Sequence, residues 1–188
     1  MKTNKAFLGK MNRFSVDFSI NLLKWKLPSS KLWPSQAVNC LEHFLIREIA
    51  GYPTLKATAQ KQWSMNILIV GKKRMQKINL EHRKKNYPTD VLSFPALDWS
   101  MPQGLPQMAQ ESDYSLGDIV ICKDVLLKQA KQFQLSNMDE YLHLLVHGFL
   151  HLLGYDHEIS QNEAKIMEKH EKSILDDISR TGSNSYCR

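Results

Sequence analysis

Three histidines carry the chemistry that this sequence offers most plainly. In the segment His147-Gly-Phe-Leu-His151-Leu-Leu-Gly154-Tyr-Asp-His157 two imidazoles stand four residues apart, which on a helix puts them on one face, one turn above the other. Gly154 suits the left-handed position that ends a helix and turns the chain back, and that reversal can carry His157 to the same point. Three imidazole nitrogens with a fourth position left open make the ligand set of a catalytic zinc site rather than of a closed structural one. One histidine on an apolar helix is more often a hydrogen-bonded core residue, but three at this spacing, with glycine at the bend, point to metal. Zinc is the expected ion, one per chain, although nickel and copper also suit imidazole. His143 lies one turn before His147 on nearly the same face. A helix rises about 6 Å over four residues, so His143, His147 and His151 would spread too far for one centre, and His143 is expected to support the site or the core. Tyr155 and Asp156 sit in the bend, where turn formation or packing is as good a role as chemistry.

The spacing HxxxHxxGxxH is similar to the histidine–glycine skeleton of the metzincin proteases. In those enzymes a glutamate follows the first histidine and serves as general base; here that position is Gly148, which disfavours a zinc peptidase or amidase. A second feature directs attention to another substrate. Lys72, Lys73, Arg74, Lys77, Arg83, Lys84 and Lys85 crowd one short stretch, opposed only by Glu81, and such a cluster is a candidate footprint for a polyanion. Attack on a phosphodiester adds charge to an already anionic group. Guanidinium meets that charge well, because it stays protonated and binds two phosphate oxygens at once. Arg83 is therefore the candidate catalytic cation.

The elements that must position these groups follow from periodicity. Strands are expected at 16–20, 65–70, 91–94 and 117–121. Helices are expected at 35–50, where Val38, Leu41, Leu45 and Ile49 recur at a helical period, and at 72–81 and 123–133. A further helix is expected over 138–153, capped by Asn137, and a last one from Ser160, where Ser-Gln-Asn-Glu163 forms a capping box, through Ile178. The stretch from Leu97 to Ser115, rich in Pro, Gln, Ser, Met and Gly, reads as a long surface loop. The expected fold is α+β: a small mixed sheet of about four strands packed with about five helices, the metal site at the end of a helix in the C-terminal half. Residues 1–13 read as a basic disordered extension, 14–180 as one catalytic metal-hydrolase domain, and 181–188 as a frayed tail.

Composition narrows the setting. A chain of 188 residues, 43% hydrophobic and 23% charged, matches an ordinary globular domain. The longest apolar stretch, Leu144 to Leu153, contains His147, Gly148 and His151 and is too short to cross a bilayer. Lys2, Lys5, Lys10 and Arg13 lead into no uninterrupted apolar segment, so no secretion signal is read. Cys40, Cys122 and Cys187 are widely spaced and make no disulfide framework, which suits a reducing, cytoplasmic setting.

Several motifs, taken in order, resemble one family. Asn79-Leu-x-x-Arg83, Pro88-Thr-Asp-Val-Leu-Ser-Phe94-Pro95, Gly117-Asp-Ile-Val-Ile121 and the HGxLHLxGYDH segment are similar to those of the YbeY family of bacterial endoribonucleases, over about residues 14 to 178. The resemblance implies a compact α+β fold with a metal in a cleft, and metal-dependent cleavage of single-stranded RNA. It further implies a part in 3′ maturation of small-subunit ribosomal RNA and in ribosome quality control, with the small ribosomal subunit or its proteins as partners and no DNA or membrane. Carried over by position, the metal ligands fall on His147, His151 and His157 and the active-site arginine on Arg83. Lys85 and Asp118 occupy positions open to RNA or partner contacts. Two departures, the basic N-terminal extension and Tyr87 where a charged residue commonly precedes the proline, leave the metal site untouched. The expected reaction is hydrolytic scission of an RNA phosphodiester by water activated at zinc, with no residue standing out as general base. Attack by the ribose 2′-hydroxyl is the alternative route. A zinc-binding ribosome-assembly factor with little catalysis is the alternative function.

Overall fold

Alternation builds the centre of the sheet. Along β2 (Gln62–Val70) Trp63, Met65, Ile67 and Ile69 are buried, while Asn66 is exposed and Leu68 half-buried, as expected of a strand whose faces meet different surroundings. This is a computed structural model, and it describes residues 14–17, 33–50, 62–99 and 113–183. Besides β2 the sheet contains β1 (Phe14–Asp17), β3 (Val91–Pro95) and β4 (Asp113–Cys122), in the order β1-β2-β4-β3. The pairs β1–β2 and β2–β4 are parallel and β3–β4 is antiparallel, so the sheet is mixed. Among the described residues five helices accompany it: α1 (Trp33–Ala50), α2 (Lys72–Arg83), α3 (Lys123–Gln132), α4 (Asn137–Leu152) and α5 (Gln161–Ser183). The architecture is α+β.

One sheet face carries the larger core. Leu41, Phe44 and Leu45 of α1, Leu145 and Phe149 of α4, and Met167, Ile174 and Ile178 of α5 close with Ile67 and Ile119 into a single cluster. Each such buried side chain contributes ~1.5–3 kcal/mol. On the other face Val70, Leu92, Val120 and Cys122 pack under Met75 of α2. The two clusters fix α2 and α4 on opposite sides of the β3 strand, and that placement makes the cleft described below.

Two glycines permit close approach. Between Ser64 and Asn66 the β2–β4 register shifts, with Ser64 opposite Ser115 and Asn66 opposite Asp118, so β4 holds one extra residue, a bulge. Gly117 sits there at φ +121°, and a Cβ on it would lie 2.1 Å from the carbonyl oxygen of Phe94. Gly148 brings α4 onto the sheet: a Cβ there would meet Ile119 Cγ2 at 2.9 Å and Ser93 Oγ at 3.1 Å. The Ser93 hydroxyl donates to the Gly148 carbonyl at 3.1 Å.

Some boundaries differ from expectation. β4 begins at Asp113, so Tyr114 and Ser115 belong to the strand and not to the loop; the bulge interrupts the alternation that would have announced them. The cap of α4 is Ser136, whose Oγ accepts from Asp139 N at 3.0 Å, and Asn137 is the first helical residue. Ser160 does cap α5, accepting from Glu163 N at 3.1 Å. That helix reaches Ser183, beyond the expected start of the tail at 181. The extension 1–13, the strand end 18–20, the side chain of Ile49, the loop segment 100–112 and residues 184–188 lie outside the described residues. Among those described, no helix is long and apolar enough to cross a membrane.

Candidate metal centre

The end of α4 is built to reverse the chain. Tyr155 N donates to Leu150 O and Gly154 N to His151 O, both at 3.1 Å, the paired bonds that close a helix around a left-handed residue. Gly154 supplies that residue at φ +84°, where a Cβ would also lie 2.8 Å from Trp99 Cβ. The Trp99 indole donates to Leu152 O at 2.7 Å, satisfying a carbonyl that the helix end would otherwise orphan. Beyond the turn, Asp156 Oδ1 accepts from Glu158 N at 2.8 Å. The Tyr155 hydroxyl donates to Glu48 Oε2 at 2.6 Å, while its ring packs by Phe44 and His170. Asp156 thus forms the turn and Tyr155 anchors it.

This reversal gathers the histidines. The Nε2 atoms of His147 and His151 lie 3.2 Å apart, and the His157 ring centroid is 5.2 Å from each of the other two. One ligand atom from each of His147, His151 and His157 lies within 4.8 Å of the others, a group that could hold a metal ion. Among the described residues no fourth His, Cys, Asp or Glu joins the group. Burial, reinforced by the neighbouring rings of His147 and His157, pushes His151 below the usual histidine range, which favours the neutral, ligating form.

Behind the ligands stands a carboxylate that local spacing does not announce. Glu171 Oε1 lies 3.3 Å from His147 Nδ1 and 3.4 Å from His143 Nε2. Burial alone would raise its carboxyl, but hydrogen bonds from His143 and His147 and their charge outweigh that and hold it at about 2. His143 is raised in turn, by its bond to Glu171 against the opposing effect of burial. His143 therefore stands beside the ligand group, joined to it through Glu171. Only contacts between helices bring Glu171 to His147, so no short motif could have flagged it.

A cleft of about 880 Å³ opens over the three rings, walled by His82, Arg83 and Lys85 at the end of α2, by Val91 to Pro95 of β3, and by the turn through Glu158. The structure thus brings Arg83 and all three histidines to one cavity, with Lys85 on its rim. Lys84 takes the left-handed conformation at φ 59° and closes α2. The buried Asn79 donates to Tyr87 O at 2.7 Å, tying down the loop that follows Arg83. The Arg83 guanidinium faces Glu158 Oε1 at 3.4 Å. Asp118 is not among the groups lining the cleft; its carboxylate accepts from Asn66 Nδ2 at 2.7 Å. Asp90 lines the cleft but accepts from Gln129, Val91 N and Thr89, which makes it a brace for the start of β3.

Comparison with known proteins places this arrangement. Residues 38–179 match the model of the family described as Endoribonuclease YbeY. The Endoribonuclease YbeY of Bdellovibrio bacteriovorus is 38% identical over 131 residues, covering 70% of this chain and 77% of that protein. That of Leptospira interrogans is 43% identical over 128 residues, covering 64% and 91% respectively. A Thermotoga maritima protein solved in solution shares the fold, with a TM-score of 0.50 and 22% identity over 90% of this chain and 93% of its own. With a family match across most of its length and relatives this close, the chain belongs to the YbeY endoribonuclease family.

Proposed function

We propose that this protein is a metal-dependent endoribonuclease that cuts single-stranded RNA, with residues 14–180 as its one catalytic domain. The observation that carries this reading is a three-imidazole ligand group and a guanidinium lining the same cleft. The name shared by its relatives, Endoribonuclease YbeY, supports RNA as the substrate.

His147, His151 and His157 would hold zinc. All three donors are imidazoles, a ligand set that suits zinc, and one nitrogen from each lies within 4.8 Å of the others. Zinc held there supplies Lewis acidity, which lets water act as a nucleophile near neutral pH. Arg83 binds the non-bridging oxygens of the scissile phosphate and neutralises the charge that grows as the bond is attacked; Glu158 yields the guanidinium to the phosphate. Lys85 and the exposed cations of α2 draw the strand toward the cleft. Attack by water leaves a linear phosphate end, and a 2′,3′-cyclic phosphate among the products would count against it. Peptide hydrolysis is disfavoured doubly, because position 148 has no carboxylate and its Cα lies against Ile119, where even a Cβ would be at 2.9 Å.

The cellular role we infer is 3′ maturation of small-subunit ribosomal RNA and ribosome quality control in the cytoplasm, with the small ribosomal subunit or its proteins as partners. The test couples metal analysis of the purified protein to cleavage of a single-stranded RNA. One zinc per chain, cleavage abolished by chelation and restored by zinc are the expected results; full cleavage by metal-free protein would overturn the enzymatic reading. A His147→Ala variant that folds, loses its metal and still supports ribosomal RNA processing in cells would replace the nuclease with an assembly factor.

A further inference from the structure

His147 turns its Nε2 toward His151, so Nδ1 is its outward nitrogen, and that atom meets Glu171 Oε1 at 3.3 Å. The same oxygen lies 3.4 Å from Nε2 of His143, and the Glu171 side chain is only 17% exposed. One carboxylate oxygen therefore faces two imidazoles with little water to compete for it. A carboxylate that accepts from Nδ1–H leaves Nε2 without a proton, fixes the ring's orientation and raises its donor strength toward a metal. The carboxylate itself is held from two directions. His143 braces it from one turn up α4, and α5 is anchored by Met167, Ile174 and Ile178, all buried in the main core.

We propose that Glu171 is the positioning residue of the metal centre: it holds His147 in the Nδ1–H tautomer with Nε2 turned to the ion, and His143 keeps the carboxylate in place. This rests on the three-histidine metal site proposed above. It makes ligand orientation depend on the docking of α5 against α4, so the helix that supplies no ligand still tunes the centre. It also gives His143 a role that its place one turn from the ligands leaves open.

The test compares wild type, Glu171→Ala, Glu171→Gln and His147→Ala by zinc titration against a chromophoric chelator. Proton–nitrogen NMR of the histidine rings in the metal-free proteins is read alongside. In wild type His147 should be the Nδ1–H tautomer. Glu171→Ala should keep its fold by circular dichroism, lose that tautomer preference and bind zinc about 10–100-fold more weakly. Glu171→Gln should fall between the two, because its amide oxygen still accepts a hydrogen bond but brings no charge; being nearly isosteric, it decides the matter if the alanine variant does not fold. Zinc affinity within about twofold of wild type in both Glu171 variants, well short of that loss, or His147 as the Nε2–H tautomer in wild type, would overturn the proposal alone. Wild type that binds no zinc, or His147→Ala that binds it as wild type does, would overturn the metal site and this inference with it.

Discussion

Arg83 and Glu158 face each other at 3.4 Å with side chains 44% and 62% exposed, and magnitudes decide which partner the guanidinium keeps. An ion pair that exposed is worth ~0.2–1 kcal/mol. A donor aimed at charge developing in a transition state is worth ~3–4 kcal/mol, so a bound phosphate displaces the glutamate. Arg83→Ala should therefore slow RNA cleavage by about 10²–10³-fold while zinc content stays at the wild-type value. Single-turnover cleavage beside metal analysis checks this, and unchanged cleavage would remove Arg83 from the mechanism. Arg83→Lys should recover only part of the loss, because an ammonium keeps the charge but not the two-pronged geometry. Glu158→Gln works in the other direction. With its competitor neutral, the guanidinium is free for RNA, and binding should tighten by up to about fivefold, the full worth of an exposed pair. Fluorescence anisotropy with a labelled single strand measures it; no change in Kd would mean that Glu158 does not compete with RNA for the guanidinium.

Between elements, the cleft wall depends on how the start of β3 is held. Asp90 joins it to α3: Gln129 Nε2 donates to Oδ2 at 2.9 Å, while Val91 N and Thr89 Oγ1 donate to Oδ1 at 2.8 and 2.9 Å. Burial would raise this carboxyl, but these hydrogen bonds outweigh it and hold the group below its ordinary value of 3.8. A folded-state value below the unfolded one means that the stabilisation is whole above the unfolded value and fades as pH falls through the folded one. Asp90→Asn should cost ~1.5–3 kcal/mol at neutral pH, the worth of hydrogen bonds to a charged acceptor. The difference from wild type should shrink as pH falls below the ordinary value of 3.8; urea denaturation at neutral pH and in that acid range reads it, and a pH-independent difference would contradict the assignment. The same scale explains what the sequence made legible. The end of α4 could be read ahead because Gly154 and the histidine spacing act within a few residues. Glu171 and Trp99 could not, because α5 packing against α4 and an indole reaching Leu152 O are contacts between distant segments. Gly148 could be read only as a missing carboxylate. Its positive role, letting α4 approach Ile119 and Ser93, emerges from packing.

At the scale of the whole molecule the net charge is +6, and seven of the cations gather on one described stretch. Lys72, Lys73, Arg74, Lys77, Arg83, Lys84 and Lys85 are all exposed on α2 and the residues that close it, and the last turn of that helix forms a wall of the cleft. The charge cluster was visible in the sequence; that it adjoins the histidines was not, because α2 and α4 are brought together only by packing on opposite faces of one sheet. The adjacency has a measurable consequence. Each phosphate neutralised on a single strand releases condensed counterions, so log K falls with log salt by about 0.7 per contact. If Arg83, Lys84 and Lys85 each meet a phosphate, the slope should be about −2 and Lys85→Ala should make it shallower by about 0.7. Lys172 supplies the control: it too is exposed but sits on α5, paired with Asp176 at 3.1 Å and outside the cleft lining. Its replacement by alanine removes the same formal charge and should leave the slope unchanged. Equal effects at both lysines would show that the strand responds to net charge alone, and the α2 track into the metal cleft would have to be abandoned.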